Sequence, residues 1–279
     1  MNRFQKSFDL KEIAYSRLSA IVNNYVESDD IRVLQSLLKC GIRPFYVGKM
    51  SKLYPTKDRL DLFVFHYTGK SAIKRGEFLI VDSGISLKDL GNYAVKEGIA
   101  GFEKIMTIPG ELGGSLNNNA GFLDQTIADH LLFLSVIDEK GECRLFEKKE
   151  LNIGYRRLEI PAKNAFIYKA VFRIRREMRF SLYMKRKEAY AYRRLHHPPI
   201  LSLGSTFKNR DRIKAYLAVK ACVDFETFMG LKVDPKHCNF IEIRFDLPKI
   251  NLVKLIERVE ELVYNKYGFC LETEIKMMY

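Results

Sequence analysis

Ile108-Pro109-Gly110-Glu111-Leu112-Gly113-Gly114-Ser115-Leu116-Asn117-Asn118-Asn119-Ala120-Gly121 stands out from the sequence on either side of it. Four glycines and three consecutive asparagines fall within these fourteen residues. Glycine adopts positive φ and lets backbones approach closely, while asparagine tolerates the left-handed region and bonds to nearby backbone. The composition predicts a loop rather than a strand or helix, with N–H groups and amide side chains facing a polar, planar or anionic ligand. An ordinary surface loop fits the composition equally well.

Working outward, residues 77–81 read as a strand. A helix follows from Ser86, which can cap it, with Leu87, Leu90, Ala94 and Val95 as its apolar face and Gly98 beyond its end. Downstream, residues 131–137 and 142–146 flank the turn Asp138-Glu139-Lys140-Gly141, a hairpin signal. Residues 165–174 form a further strand in which Phe166, Tyr168, Ala170 and Phe172 alternate. Nearer the N-terminus, residues 30–40 carry a helical stripe, residues 43–48 turn into a short strand, and residues 60–67 form another. Beyond Arg175 the sequence becomes basic and helix-compatible. Residues 251–266 then form an amphipathic helix capped by Asn251 and ended by Gly268, and residues 269–277 form a last strand. The pattern is α+β with mixed or antiparallel sheets in two domains, residues 1–175 and 176–279.

The 279-residue chain is long enough for two cores and carries a formal net charge of +13. Nucleic acid, an anionic membrane surface and anionic small molecules all suit that charge. Basic residues concentrate between Arg173 and Arg194, interleaved with Tyr183, Tyr190 and Tyr192, without a helix-turn-helix, zinc-finger or RNP-type signature. A solvated helical face with a phosphate-facing edge explains the segment better than a nucleic-acid site. No apolar run reaches the length of a membrane span and the first nine residues lack a signal-peptide core, so a cytoplasmic protein is expected. Five scattered cysteines read as reduced, mostly buried thiols, and the adjacent His196 and His197 cannot share a helix face, so no metal is expected.

The order Ile-Pro-Gly-x-x-Gly-Gly followed by Asn-Ala-Gly resembles the flavin-contacting loop of the UDP-N-acetylenolpyruvoylglucosamine reductase (UDP-N-acetylmuramate dehydrogenase) family. Three further patches follow in that family's order: Gly154-Tyr155-Arg156-Arg157, Leu203 to Asn209, and Leu271 to Lys276. His237-Cys238-Asn239-Phe240 also falls where the family has a counterpart, and the resemblance spans roughly residues 80–279. It implies a flavoprotein with a vanillyl-alcohol-oxidase-type FAD-binding fold and a smaller C-terminal α+β substrate domain. The implied reaction uses NADPH and FAD to reduce UDP-N-acetylglucosamine enolpyruvate to UDP-N-acetylmuramate, serving peptidoglycan synthesis and through it cell shape and division. Position by position, the resemblance makes Ser205 the proton donor, with Arg156 and Glu274 stabilising the enolate. Ile108, Pro109, Gly110, Gly113, Gly114, Ser115, Asn119, Ala120 and Gly121 would contact the cofactor, and Tyr155, Lys208 and Asn209 the substrate. A monomer is expected, with the UDP-sugar substrate and NADPH as partners and no nucleic acid.

The first 75 residues depart from the family. A Gly-Gly-Gly-Ser-Asn-type turn is reduced to Val47-Gly48-Lys49-Met50-Ser51-Lys52, and an earlier Arg-x-Gly-Gly segment to Leu18-Ser19-Ala20-Ile21. Thr107 stands before the Ile-Pro-Gly where glycine is common, and Arg210 follows Asn209 where proline is usual. Either the added lysines replace backbone N–H groups as pyrophosphate partners, or FAD has been lost and a sugar-nucleotide-binding or anionic-polymer-binding protein remains on the same scaffold.

Overall fold

In the computed structural model, which describes residues 2–210, 213–223, 230–231 and 233–279, the chain first forms β1 (Arg3–Asp9), β2 (Ile21–Ser28) and α1 (Ile31–Lys39). Next come β3 (Phe45–Val47), β4 (Leu53–Pro55), β5 (Arg59–Tyr67), β6 (Ala72–Arg75), β7 (Phe78–Asp82) and α2 (Leu87–Glu97). After α3 (Leu112–Asn117) the short strands β8 (Gly121–Phe122) and β9 (Gln125–Thr126) lead into β10 (Leu131–Ile137) and β11 (Cys143–Glu147). β12 (Asn152–Gly154), β13 (Arg157–Glu159) and β14 (Phe166–Arg173) precede α4 (Arg179–His196), α5 (Ala215–Cys222), α6 (Ile250–Tyr267) and β15 (Lys276–Met278).

Two compact units result. The first comprises Met1–Phe8, Val22–Lys49 and Asp61–Ala191, and the second Asp9–Ile21, Met50–Leu60 and Tyr192–Tyr279. Sequence patterning places a boundary after residue 175; these units divide after Ala191, and the second also takes up two N-terminal segments.

The first unit is built on two sheets. One has the order β1-β2-β5-β3, with β3 parallel to β5 and Val47 opposite His66. The other has the order β11-β10-β14-β7-β6 and antiparallel pairing. α2 and α3 bury Leu87, Leu90, Leu112 and Leu116 in one cluster with Leu79, Val81, Leu134 and Phe172 of the second sheet. Leu34 and Leu38 of α1 pack with Phe65, Tyr67 and Ile137. Val64, Phe65, His66 and Tyr67 are buried in succession on both faces of β5, so the polar ring of His66 is enclosed as fully as its apolar neighbours. α2 begins and ends as the sequence predicts: the Ser86 hydroxyl accepts from the Asp89 N–H at 3.0 Å, and Gly98 closes it at φ +67°.

The second unit packs α5 and α6 against the segments around Leu203 and Phe207, with Leu18 and Tyr54 completing the core. The helical stripe of α6 is buried through Leu252, Leu255, Ile256, Val259 and Val263. β4 and β15 pair in parallel, with Leu53 opposite Lys276.

Four expectations need correction. The glycine-rich stretch is not loop throughout, because Leu112–Asn117 is helical. Leu112 and Leu116, one turn apart and fully buried, anchor a helix that glycine and asparagine content conceals. Asn251 does not cap α6: the helix starts at Ile250, the Asn251 N–H donates to the Pro248 carbonyl at 2.9 Å, and Asn251 is buried. The last strand shrinks to Lys276–Met278, and upstream of it only an isolated bridge joins Thr273 to Phe207. Three of the five thiols, Cys40, Cys143 and Cys270, are exposed.

Candidate active site

The central stretch is stitched to the turn after β7. The Leu112 and Gly113 N–H groups, which a helix start leaves without intrahelical acceptors, donate to the Ile85 and Ser83 carbonyls at 2.9 and 2.8 Å. The Gly110 carbonyl accepts from the Leu87 N–H at 3.1 Å. Gly110 sits at φ +137°, where a side chain is disfavoured. A Cβ on Gly113 would come within 3.1 Å of Ser83 Cβ, so that close approach depends on glycine. Gly114 is exposed, and a Cβ there would meet nothing within 4 Å. Ser115 uses its hydroxyl on the Glu111 carbonyl at 2.8 Å, within the helix.

Beside this stretch lies a cleft of about 580 Å³, walled by Tyr46, Gly48, Glu111, Gly113, Gly114 and Phe166 among others. It brings Gly113 and Gly114 together with Arg43–Gly48, the divergent N-terminal segment. Glu111, which reaches the cleft, is only 5% exposed, and its charge is compensated. His66 Nε2 lies 3.1 Å from Glu111 Oε2, and Lys49 Nζ 3.8 Å from Oε1. On the other ring face, His66 Nδ1 lies 3.0 Å from the Tyr25 hydroxyl and 3.7 Å from Glu27, to which Tyr25 donates at 2.6 Å. Burial opposes a charge on His66, but the Glu111 and Glu27 carboxylates outweigh it and raise the pKa above its ordinary value. The bond to His66, with that from Tyr25, holds Glu27 down to about 2.

The end of the central stretch meets the β12–β13 turn. Asn119, left-handed at φ +37° and buried, donates from Nδ2 to the Gly154 carbonyl at 2.9 Å. Its Oδ1 is buried with no hydrogen-bond partner among the described residues. Arg156, at φ +52°, donates to the Gly121 carbonyl at 3.0 Å and stacks its guanidinium over Tyr155 at 5.1 Å. Sequence-predicted cofactor and substrate residues therefore converge here, on a turn held in strained backbone.

These features fit a flavin dinucleotide. Gly114 leaves bare backbone at the cleft, and the aromatic rings of Tyr46, Tyr67 and Phe166 line it. Met50 keeps a left-handed conformation, φ +52°, within the turn where the family carries glycines.

The second unit holds Ser205 and Glu274. The Glu274 N–H donates to the Thr206 carbonyl and the Thr206 N–H to the Asn239 carbonyl, both at 2.7 Å. The Asn239 side chain accepts from the Phe207 N–H and donates to the Phe207 carbonyl, each at 2.8 Å, clamping the strand-like segment that carries Ser205. Glu274 is buried and Ser205 half-buried. Lys208 is paired with Glu272, and Asn209 accepts from the Ala215 N–H at 3.0 Å at the start of α5. Lys52 Nζ reaches both the Ser205 carbonyl, at 2.6 Å, and Glu274, at 3.5 Å. Among the described residues no group of three His, Cys, Asp or Glu is placed to hold a metal, and no helix is long and apolar enough to cross a membrane.

Three residues around the candidate site carry no role in the sequence reading. His66 was visible only as a polar residue on an apolar strand face, and Glu111 only as one of the two variable positions between glycines. Asn239 lay in a matched patch without a role, whereas Lys52 is one of the two added lysines read as pyrophosphate partners, and the structure turns it instead to the Ser205 carbonyl and Glu274.

Residues 196–278 match the C-terminal domain of UDP-N-acetylenolpyruvoylglucosamine reductase. The reductase of Aquifex aeolicus is 30% identical over 284 residues, covering 99% of this chain and 95% of that one. The chain belongs to the UDP-N-acetylenolpyruvoylglucosamine reductase family. The Oceanobacillus iheyensis reductase is 27% identical, covering 96% of this chain and 90% of its own. The crystal structure of the Thermus caldophilus reductase has the same fold, with a TM-score of 0.85 at 20% identity and full coverage of both chains. Family likeness thus extends through the N-terminal segment that departs most from the motif pattern.

Proposed function

We infer that this protein reduces the enolpyruvyl group of UDP-N-acetylglucosamine enolpyruvate to give UDP-N-acetylmuramate, with FAD as resident cofactor and NADPH as reductant. The observation that carries this is the pairing of Ser205 and Glu274 on adjacent, backbone-bonded segments in a chain of this family. Gly113, Gly114 and Asn119 would contact the flavin. When bound, FAD supplies hydride taken from NADPH.

The chain's own residues have two tasks. Negative charge develops at C2 of the substrate and its carboxylate as C3 is reduced, and Arg156 and Glu274 would stabilise that enolate by charge and hydrogen bonding. Ser205 would then donate its hydroxyl proton to C2. Lys208 and Asn209 would bind substrate, with Lys208 leaving Glu272 for an anionic group. Tyr155, half-exposed with Arg156 stacked on it, offers a flat platform beside the cationic group.

The matching test is Ser205→Ala, assayed in separate half-reactions. Flavin reduction by NADPH should be unchanged, and turnover with the enolpyruvyl substrate should fall by about 10²–10⁴-fold, the usual worth of a placed general acid. Unchanged turnover would remove Ser205 from the protonation step.

A further inference from the structure

Lys52, itself part of the second unit, ends the turn expected to approach a pyrophosphate, yet its ammonium is committed to Ser205 and Glu274. Its Nζ donates to the Ser205 carbonyl at 2.6 Å and lies 3.5 Å from Glu274 Oε1. Gly204, at φ +74°, brings the chain so close that a Cβ there would lie 3.3 Å from the same nitrogen. The Lys52 backbone is fixed as well: its carbonyl accepts from the Lys276 N–H at 2.8 Å, where β4 begins beside β15. The side chain is 29% exposed and that of Glu274 7%. One cation therefore stands between the two residues of this unit to which the proposed reaction assigns protonation and enolate stabilisation.

We propose that Lys52 is a positioning residue for the protonation step, fixing the Glu274 carboxyl against the Ser205 turn and countering the charge that develops there. The proposal rests on the reductase reading above. In that step hydride brings two electrons to C3, and the electron pair of the C2–C3 double bond moves to C2 and its carboxylate. The Ser205 O–H bond then breaks, its proton forming the C2–H bond and its electron pair staying on the serine oxygen. A solvent proton restores the hydroxyl. Lys52 gives up no proton in the balance; its charge offsets that of the transient alkoxide and holds the geometry. Ionic hydrogen bonds are about twice as strong as neutral ones. The fold itself does not need this contact, because Asn239 and the Glu274 backbone already hold the Ser205–Phe207 segment.

Lys52→Met and Lys52→Arg, loaded with FAD, would be followed by stopped-flow absorbance in both half-reactions, with Lys52→Gln taking the place of the methionine variant if that variant does not fold. Reduction by NADPH should match the wild type. Reoxidation by the enolpyruvyl sugar nucleotide should slow about 10–100-fold in Lys52→Met, the scale expected for a misplacement of about 1 Å, and recover largely in Lys52→Arg. Urea unfolding of the flavin-free protein gives a readout without turnover. The midpoint shift of the Lys52→Met/Glu274→Gln double variant should be smaller than the sum of the single shifts, because the two side chains lose the same contact. Equal slowing of both half-reactions, slowing of neither, or additive shifts would overturn the role of Lys52 alone. A wild type that performs neither half-reaction would overturn the reductase reading, and this role with it.

Discussion

Met50 shows how a motif can be lost in letters and kept in geometry. In sequence, Gly48-Lys49-Met50-Ser51-Lys52 reads as a phosphate turn stripped of glycine. In the structure Met50 occupies the left-handed region at φ +52°, a conformation that costs a non-glycine residue roughly 1–2 kcal/mol, and it is only 3% exposed. Burial of its side chain is worth about 1.5–3 kcal/mol and offsets that strain. Local propensity could not reveal this, because the compensation comes from tertiary packing. Gly48 is the position that cannot be substituted in the same way. A methyl there would stand 2.7 Å from Glu111 Oε2, and that carboxylate is already held by His66 and Lys49. Gly48→Ala should therefore destabilise the flavin-free protein by about 1–3 kcal/mol, the usual cost of overpacking, and lower its Tm. A melting curve of the flavin-free variant checks it; an unchanged Tm would mean that the Glu111 carboxylate gives way without cost.

At the scale of elements, periodicity located α1, α2, the β10–β11 hairpin, β14 and α6, because each carries its apolar pattern in its own residues. α3 was hidden because two leucines outweigh the glycine and asparagine around them only once Ser83 and Ile85 accept its first N–H groups. The polar line through β2, β5 and the start of α3 was illegible for another reason: Glu27, His66 and Glu111 are distant in sequence. Its consequence is a pH dependence. His66 has a raised pKa, so its contribution is complete below the unfolded value of 6.5 and is lost as pH rises through the folded value. Glu27 is lowered to about 2 from 4.5, so its contribution is complete above 4.5 and fades as pH falls toward 2. The stability difference between wild type and His66→Gln should thus be largest between pH 4.5 and 6.5, and urea unfolding across pH measures it. A difference that grows above pH 8 would contradict the pairing.

At the scale of the molecule, each unit carries a histidine of opposite character, buried His66 in the first and half-buried His197 in the second. His197 in the second unit is pushed down to about 4 by burial and by Arg193 and its other cationic neighbours. Its neutral form is the folded one, so stability is lost as pH falls from 6.5 toward 4, opposite in sense to His66 over that range. Proton NMR with assigned ring signals should find His197 titrating near 4 and His66 above 6.5; these two rings titrating together near 6.5 would deny both environments.

The candidate site was legible where its chemistry lies in contiguous patches. Arg156, Ser205 and Glu274 could be named because each sits in a short ordered motif. The roles of Lys52 and Asn239 could not, since they exist only through contacts with residues far along the chain. The most direct measurement is anaerobic. The protein is loaded with FAD, freed of excess, bleached with NADPH and mixed with UDP-N-acetylglucosamine enolpyruvate while the flavin absorbance is followed. Retention of the flavin, bleaching by NADPH and return of the band with the enolpyruvyl substrate are the predicted result. A folded protein that retains no flavin, or one whose reduced flavin persists in the presence of that substrate, would contradict the account.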